Sequence, residues 1–398
     1  MTLMFLAFAL VIIAGVIEKQ RTQRAIDSIP LRVNVNGVRG KSTVTRLITG
    51  IVNEEGYKTV GKTTGTTARK IYWNGEEKPI QRKPEGPNIR EQKEVLQEAS
   101  KLNANAYVSE CMAVNPDYQI TLQNEFLQAN YGVIVNVLED HMDVLGPTLD
   151  HVAEAFTATI PHNGHLIINK GPYESYFRVL AKKRNTKVYI ADKDAIPEDY
   201  LNKFTYMVFP DNVAIGLAFA EAAGIDKETA LKGMLNANPD PGALRFLPFK
   251  DNHDNVSYFI NGFAANDATS TLNIWKHIEE SDYPSEEPVI ILSCRDDRVE
   301  RTEQFVKDVL PKLPPHRLAL IGSFTQPVVN AYKRGELPAK ELINLEDKTI
   351  TEIADVLMEQ ANNTTLFGLG NIKGAGGELA DYFQNKSKSD DSVKEEAM

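Results

Sequence analysis

Residues Leu31 to Val44 read "LRVNVNGVRGKSTV", and the fold turns on how this stretch is parsed. Leu31, Val33 and Val35 alternate with polar residues, the period of a strand. After Lys41 the apolar residues fall at Val44, Leu47, Ile48, Ile51 and Val52, the period of a helix, and Gly56 stops it. The common phosphate loop, G-x-x-x-x-G-K-[ST], would need glycine at position 35, where the chain has Val35. Here the spacing is the shorter G-x-x-G-K-S from Gly37 to Ser42. Strand, glycine loop and helix in that order still form the setting a phosphate needs. Gly37 and Gly40 let backbone N–H groups approach phosphate oxygens, and the helix start adds partial positive charge. Lys41 is expected to reach the β- and γ-phosphates, and Ser42 to ligate magnesium.

The 398 residues, 42% hydrophobic and 25% charged, suffice for two domains with cores of their own. A net charge of -10 argues against a general nucleic-acid binder, which needs a basic face. Two cysteines, Cys111 and Cys294, cannot form a metal cluster alone and fit a reducing compartment. Met1 to Ile17, "MTLMFLAFALVIIAGVI", carries no charged side chain and then meets "EKQRTQR". At roughly 1.5 Å per residue it just reaches the lower limit for crossing a bilayer. No basic residue precedes it, and the A-x-A of Ala7 to Ala9 lies inside the run, so an uncleaved anchor is expected over a cleaved signal. Lys19, Arg21 and Arg24 then favour a cell-membrane protein whose catalytic part is cytoplasmic.

Beyond Leu31, short apolar runs alternate with helical periodicity, as in a doubly wound parallel sheet. Candidate strands are "LRVNVN", "NAYVSE", "YGVIVNV", "HLIIN" and "TKVYIA", then a second series of "VSYFING", "PVIILS", "RLALIG" and "TTLFGLG". Between the series, Asn236 to Phe249 is broken by three prolines and a glycine and marks a domain junction. The closing "NKSKSDDSVKEEAM" has no apolar stripe and is expected to be disordered. "GKTTGTTARK" offers a second Gly-Lys-Thr at Gly61 with no amphipathic helix after it. It reads as a basic, hydroxyl-rich loop near the phosphates, with Thr64, Thr66 and Arg69 as candidate substrate contacts, or as a plain surface loop.

Magnesium chemistry needs ligands at the carboxyl ends of neighbouring strands, where open α/β sheets collect them. "AYVSECMAVNP" ends its strand at Glu110, and "VIVNVLEDHMDVLG" ends near Asp140, His141 and Asp143. "DVLG" and "NKGP" imitate guanine-nucleotide motifs, but Pro172 stands where the base-binding Asp would be, which disfavours GTP.

These residues resemble the Mur ligase superfamily of ATP-dependent amide ligases, which is also similar to folylpolyglutamate synthases. More closely, the chain is similar to the ligase subunits of bacterial poly-gamma-glutamate synthases. "GVRGKST", Gly37 to Thr43, resembles the superfamily's G-T-x-G-K-[ST]-[ST] loop, with Val38, Arg39 and Thr43 beside the phosphates. "VSECMAV" resembles its strand ending in a magnesium-binding Glu, here Glu110. "NVLEDHMD" resembles the element whose His binds a second magnesium, here His141. Asn212 in "FPDNVAIGLAFAEAAGI" matches an adenine-contacting Asn, and Arg245 in "PGALRF" a nucleotide-contacting Arg. Arg295 and Arg298 in "SCRDDRVE" stand where the family has G-x-x-x-D-R and are candidate substrate contacts. Ala265 replaces the adenine-side His of the family, and no lysine occurs in "EAFTATIP", where its modified lysine is expected.

The resemblance implies a P-loop, doubly wound, mostly parallel α/β domain like the Mur ligase central domain, plus a smaller Rossmann-like α/β C-terminal domain. The divisions expected are anchor 1–17, linker 18–30, ATP-binding ligase domain 31–238, C-terminal domain 239–384 and tail 385–398. It implies ATP and Mg2+, Lys41, Glu110 and His141 as catalytic residues, and polymerisation of glutamate through an acyl phosphate. Expected partners are glutamate, the polyglutamate chain, the membrane and integral membrane subunits of a synthase complex, with no nucleic acid. A membrane-tethered P-loop ATPase driving polymer transport is the alternative, and an inert scaffold a third reading.

Overall fold

The computed structural model describes residues 2–65, 68–82, 88–139, 142–204, 206–240, 243–263, 265, 267–279 and 283–389. The chain divides into two compact units, Met1–Phe204 with Val208–Pro241, and Thr205–Met207 with Gly242–Met398.

The first unit is built on eight strands: β1 (Leu31–Asn36), β2 (Thr59–Lys62), β3 (Arg69–Tyr72), β4 (Glu77–Pro79), β5 (Ala106–Glu110), β6 (Tyr131–Ile134), β7 (His165–Asn169) and β8 (Lys187–Ala191). Their order is β4-β3-β2-β5-β1-β6-β7-β8. From β2 to β8 every pairing is parallel, and β3 and β4 extend the edge as antiparallel strands. Five of the six parallel strands coincide with the expected runs. The segment read as a basic loop, residues 61–70, begins in β2 and ends in its hairpin partner β3, with Thr63, Thr64 and Gly65 outside both strands. Thr63 donates its N–H to the Arg69 carbonyl, and its hydroxyl oxygen accepts the Arg69 N–H.

β1 lies between β5 and β6, so the chain leaves the sheet centre in opposite directions around it, and the carboxyl ends of all three strands meet at one edge. That crevice is where ligands bind in open α/β sheets. The helix after β1, Lys41–Glu54, buries Val44, Leu47, Ile48, Ile51 and Val52, as its periodicity requires. It crosses helix Lys227–Leu235 backbone to backbone: a Cβ on Gly50 would lie 2.2 Å from the Gly233 carbonyl oxygen. Neither partner is the far end of a flexible side chain, so the helices must separate to admit a methyl group. Gly50→Ala is therefore expected to cost about 1–3 kcal/mol, visible as a lowered Tm. An unchanged Tm would show that the crossing has slack.

The N-terminus departs from expectation. Thr2–Asp27 is one continuous helix, which runs without a break across the expected anchor–linker boundary at Ile17. No helix among the described residues is long and apolar enough to cross a membrane, which overturns the expected single N-terminal span and the localisation built on it. The uncharged run ends at Ile17, short of the roughly 20 apolar residues a span needs; the helix then continues through Glu18, Lys19, Arg21 and Arg24. Its last turns dock on the first unit. Ala25, Ile26 and the following Ile29 are buried in one cluster with Val60, Val95, Leu96, Leu122 and Leu127. Thr22 accepts from Gln97 Nε2, and Glu18 pairs with Lys93. Arg32 closes the helix end by donating to the carbonyls of Ile26 and Ile29.

The second unit carries β9 (Phe246–Lys250), β10 (Val256–Asn261), β11 (Val289–Cys294), β12 (His316–Gly322), β13 (Ala339–Glu346) and β14 (Thr365–Gly370), in the order β13-β12-β11-β14-β10-β9. All pairs are parallel except β9 on β10. Helices cover both faces, with Trp275, Phe305 and Leu310 in one core and Phe249, Phe259 and Phe383 in the other. The last helix, Ala375–Ser389, runs through residues 385 to 389, which were expected to open a disordered tail; Ser387 is buried there.

Candidate active site

Three strand ends converge. In register, Val35 of β1 stands opposite Glu110 of β5, and Asn36 opposite Ile134 of β6. Asn36 fixes the start of the loop: its Oδ1 accepts the Gly37 N–H at 2.8 Å, while its Nδ2 donates to Gln119 Oε1 and Thr159 Oγ1. Beyond β6, Asn136 grips the loop itself. Its Oδ1 accepts the N–H groups of Val38 and Arg39, each at 3.0 Å, and its Nδ2 donates to the Arg39 carbonyl at 2.9 Å. Gly40 sits in the left-handed region at φ 80°, and a Cβ there would come within 2.9 Å of Asn212 Oδ1. Glycine is thus required twice over, by conformation and by close approach. The first-turn N–H groups of the following helix have no intrahelical partners and remain available to an anion.

Lys41 Nζ folds back and donates to the carbonyls of Gly37 at 2.8 Å and Val38 at 3.1 Å. Next to it Ser42 Oγ donates to Glu110 Oε2 at 2.9 Å. Glu110 is only 3% exposed, and its other partner is Thr64, whose N–H reaches Oε2 at 2.8 Å and whose hydroxyl reaches Oε1 at 2.6 Å. Thr64, the expected substrate contact, lines the pocket and also orients Glu110.

Behind the strand, Gln92 donates from Nε2 to the Glu110 carbonyl at 2.9 Å and accepts from Ser109 Oγ at 2.7 Å. Gln92 belongs to helix Arg90–Lys101 and is itself buried. Gln92→Leu would strand both of its partners in the interior, at about 1–3 kcal/mol for each orphaned group. A lower Tm is expected together with weaker binding of Mn2+-ADP; a variant that melts and binds like the parent would remove Gln92 from the support of Glu110.

These groups face a pocket of about 490 Å3 lined by Gly37, Lys41, Thr64, Arg82, Glu110 and Cys111, among others. Burial pushes the Cys111 thiol up to about 11, so it is no nucleophile at neutral pH. Lys62, wholly buried in β2, is pulled down to about 8 by burial, with Glu91 and Glu110 opposing.

The residues present fit magnesium. In nucleotide sites that ion takes one or two protein oxygens and completes its shell with phosphates and water, and the Ser42 hydroxyl and Glu110 carboxylate are such a pair. Among the described residues no three of His, Cys, Asp and Glu form a metal cage. His141 and Thr66, both expected at the site, lie outside the described residues.

Of the other expected residues, Gly37 is buried, Val38, Gly40, Lys41, Ser42 and Thr43 are half-buried, and Arg39 is exposed. Asn212 is buried in the first turn of helix Pro210–Ala223 against Gly40. Arg69 opens β3, with its backbone tied to Thr63. In the second unit, Arg245 forms a β-bridge with Tyr206. Arg295, just past β11, pairs with Asp297 at 2.6 Å, and Arg298 is exposed. Sequence reasoning gave no role to Asn136, Gln92 or Gln119. For Gln92 a signal existed: positions 92, 95, 96 and 99 share one helical face, and the other three are Val95, Leu96 and Ala99.

Residues 35–238 match the Mur ligase middle domain. With the glycine loop, Ser42 and Glu110 at the switch point of a parallel sheet, this defines the class: the chain is an ATP-dependent amide ligase. Residues 246–386 match the poly-gamma-glutamate synthase CapB C-terminal domain, and the chain is 60% identical to the PGA synthase CapB of Bacillus subtilis (strain 168) over 94% of its own length and 95% of the relative's. It belongs to the CapB family of poly-gamma-glutamate synthases within the Mur ligases. Among solved structures, a crystal structure of MurF from Acinetobacter baumannii superposes with a TM-score of 0.64 at 15% identity, covering 92% of this chain and 79% of that one. E. coli FolC in complex with DHPP and ADP gives 0.60 at 12% identity, covering 92% of each. Both likenesses show the fold.

Proposed function

We propose that this ligase joins glutamate units into poly-gamma-glutamate through an acyl phosphate. The observation that carries the reading is the Ser42–Glu110 contact beneath a glycine loop, in a pocket that also holds Lys41; the name of the B. subtilis relative supplies the polymer.

A carboxylate is a poor acyl donor at neutral pH. Its oxygen attacks the γ-phosphorus of ATP, a C–O–P linkage forms, and the bond to the β-phosphate oxygen breaks with ADP leaving. The amine of the next unit then attacks the activated carbonyl, loses a proton and expels phosphate. Phosphoryl transfer asks for positioning and charge neutralisation more than covalent help. Lys41 leaves its loop carbonyls for the phosphates, the first-turn N–H groups hold phosphate oxygens, and Thr64 and Gln92 keep Glu110 in place. Magnesium, when bound at Ser42 and Glu110, adds neutralisation of the phosphate charge. Asn212 and Arg245 are kept as nucleotide contacts, His141 as a further metal ligand and active-site residue, and Thr66, Arg69, Arg295 and Arg298 as substrate contacts. The exposed apolar side chains of the first helix, including Phe5, Phe8 and Ile12, suit other subunits of a synthase complex.

The test is nucleotide turnover with and without glutamate, following ADP against AMP. Glutamate-dependent ADP release supports the proposal. AMP would replace it with adenylation, and turnover indifferent to glutamate would replace it with an ATPase motor.

A further inference from the structure

The segment after the phosphate-loop helix is rich in cations, but the fold sorts them. Lys70 is spent on Glu98 at 2.8 Å, and Arg90 opens a helix at the surface. Arg82 lines the catalytic pocket with Lys41 and Glu110, and Lys62 lies wholly buried in the neighbouring β2.

Arg82 is held in one pose. Its Nε and Nη2 donate to the two oxygens of Glu91 at 3.0 and 3.3 Å, and its Nη1 donates to the Gly65 carbonyl at 2.6 Å. A guanidinium has five N–H groups, so donors remain on both terminal nitrogens. The same Glu91 also faces Lys62 Nζ at 3.8 Å, and that ammonium has no hydrogen-bond partner among the described residues. A fully buried ammonium and a half-buried guanidinium thus share one carboxylate. Glu110, the other acid nearby, already accepts from Ser42 and twice from Thr64. Buried charge is stable only when paired, and the pocket is the open side of this group. A fixed guanidinium fork suits the planar, two-oxygen geometry of a carboxylate better than a flexible ammonium does.

We propose that Arg82, backed by Glu91 and Lys62, is a carboxylate-binding subsite of the catalytic pocket, and that it holds a substrate carboxylate other than the one being phosphorylated. The proposal rests on the glutamate reading above. Each glutamate unit in a γ-linked chain keeps a free carboxylate, and holding that group would present the other to the phosphate. A phosphate oxygen of the nucleotide is the competing occupant of the same chemistry.

Calorimetric binding of γ-glutamyl-glutamate and, separately, of ADP with Mg2+ distinguishes the two in the full-length chain, without requiring turnover. Arg82→Gln is expected to weaken the dipeptide about tenfold or more while ADP stays within about twofold. Arg82→Lys, which keeps the charge and guards against a folding defect, is expected to fall between. Dipeptide affinity unchanged in both variants overturns the proposal, as does absence of dipeptide binding to the parent chain. A loss of ADP affinity as large as the loss of dipeptide affinity overturns it in favour of a phosphate site. Absent glutamate-dependent ADP release in a parent chain that still binds the dipeptide through Arg82 would remove the polymerase reading and leave the subsite standing.

Discussion

Lys41→Met is expected to reduce glutamate-dependent ADP release by about 10³-fold, roughly 4 kcal/mol of transition-state stabilisation. Methionine keeps most of the chain's reach and volume and deletes only the ammonium. In the structure that ammonium contacts two carbonyls of its own loop and, among the described residues, no carboxylate, so its removal breaks no ion pair described there. The Tm should therefore stay close to the parent's, while kcat falls far more than ADP affinity, because charge accumulates on the transferring group only as the reaction proceeds. A variant that polymerises at the parent rate would remove the phosphate loop from the mechanism altogether.

Glu110→Gln is the second large effect, about 10²- to 10³-fold in turnover, with a different signature. The carboxylate accepts three hydrogen bonds, from Ser42 Oγ, Thr64 N–H and Thr64 Oγ1. An amide of the same shape can accept on one side only, and its NH2 must point at a group that also donates unless a hydroxyl turns round. The substitution thus removes a negative charge, and with the amide oxygen facing Ser42 and the Thr64 N–H it forces the Thr64 hydroxyl to turn round. Titration of Mn2+ into the ADP complex is expected to show weakened metal binding, whereas Lys41→Met should leave that titration nearly unchanged. Stripping metal from the parent with a chelator should reproduce the Glu110→Gln rate loss and be reversed by Mg2+. Parent-like metal affinity in Glu110→Gln would move the metal elsewhere.

The centre of the catalytic unit was legible because its signals are local. β1 and the helix after it announce themselves by two different periods on either side of a glycine loop, and β5 ends on an acid that its register places beside that loop. The sheet edge was not legible. "TVGK", "RKIY" and "EKP" are short and carry charges, so none was expected as a strand and residues 61–70 read as a basic loop, although Val60, Lys62 and Tyr72 are buried once paired. In the second unit, β13 was missed because "AKELINLE" is a half-polar edge strand, and β9 because Pro248 interrupts it. Proline is tolerated there because β9 is an edge strand. The tie from Thr64 to Glu110 was not legible: a hydroxyl in a Gly-Thr-rich loop says nothing about whether it will face a buried carboxylate. At the N-terminus, composition marked where the apolar run ends. A helix does not end where its composition changes, and this one continues until its charged turns have met the body of the protein.

The helix Arg90–Lys101 serves two clients at once. Its first turn grips the catalytic strand through Gln92 and the cation pair through Glu91, and its outer side carries Lys93 and Gln97, which hold Glu18 and Thr22 of the N-terminal helix. Trimming the chain before residue 18 and trimming it before residue 31 are therefore unlike operations. The first shortens a rod whose tip stands clear of the catalytic unit. The second strips a splint from Val95 and Leu96, leaves Arg32 without the helix end it closes, and loosens the beam on which Glu110 is braced.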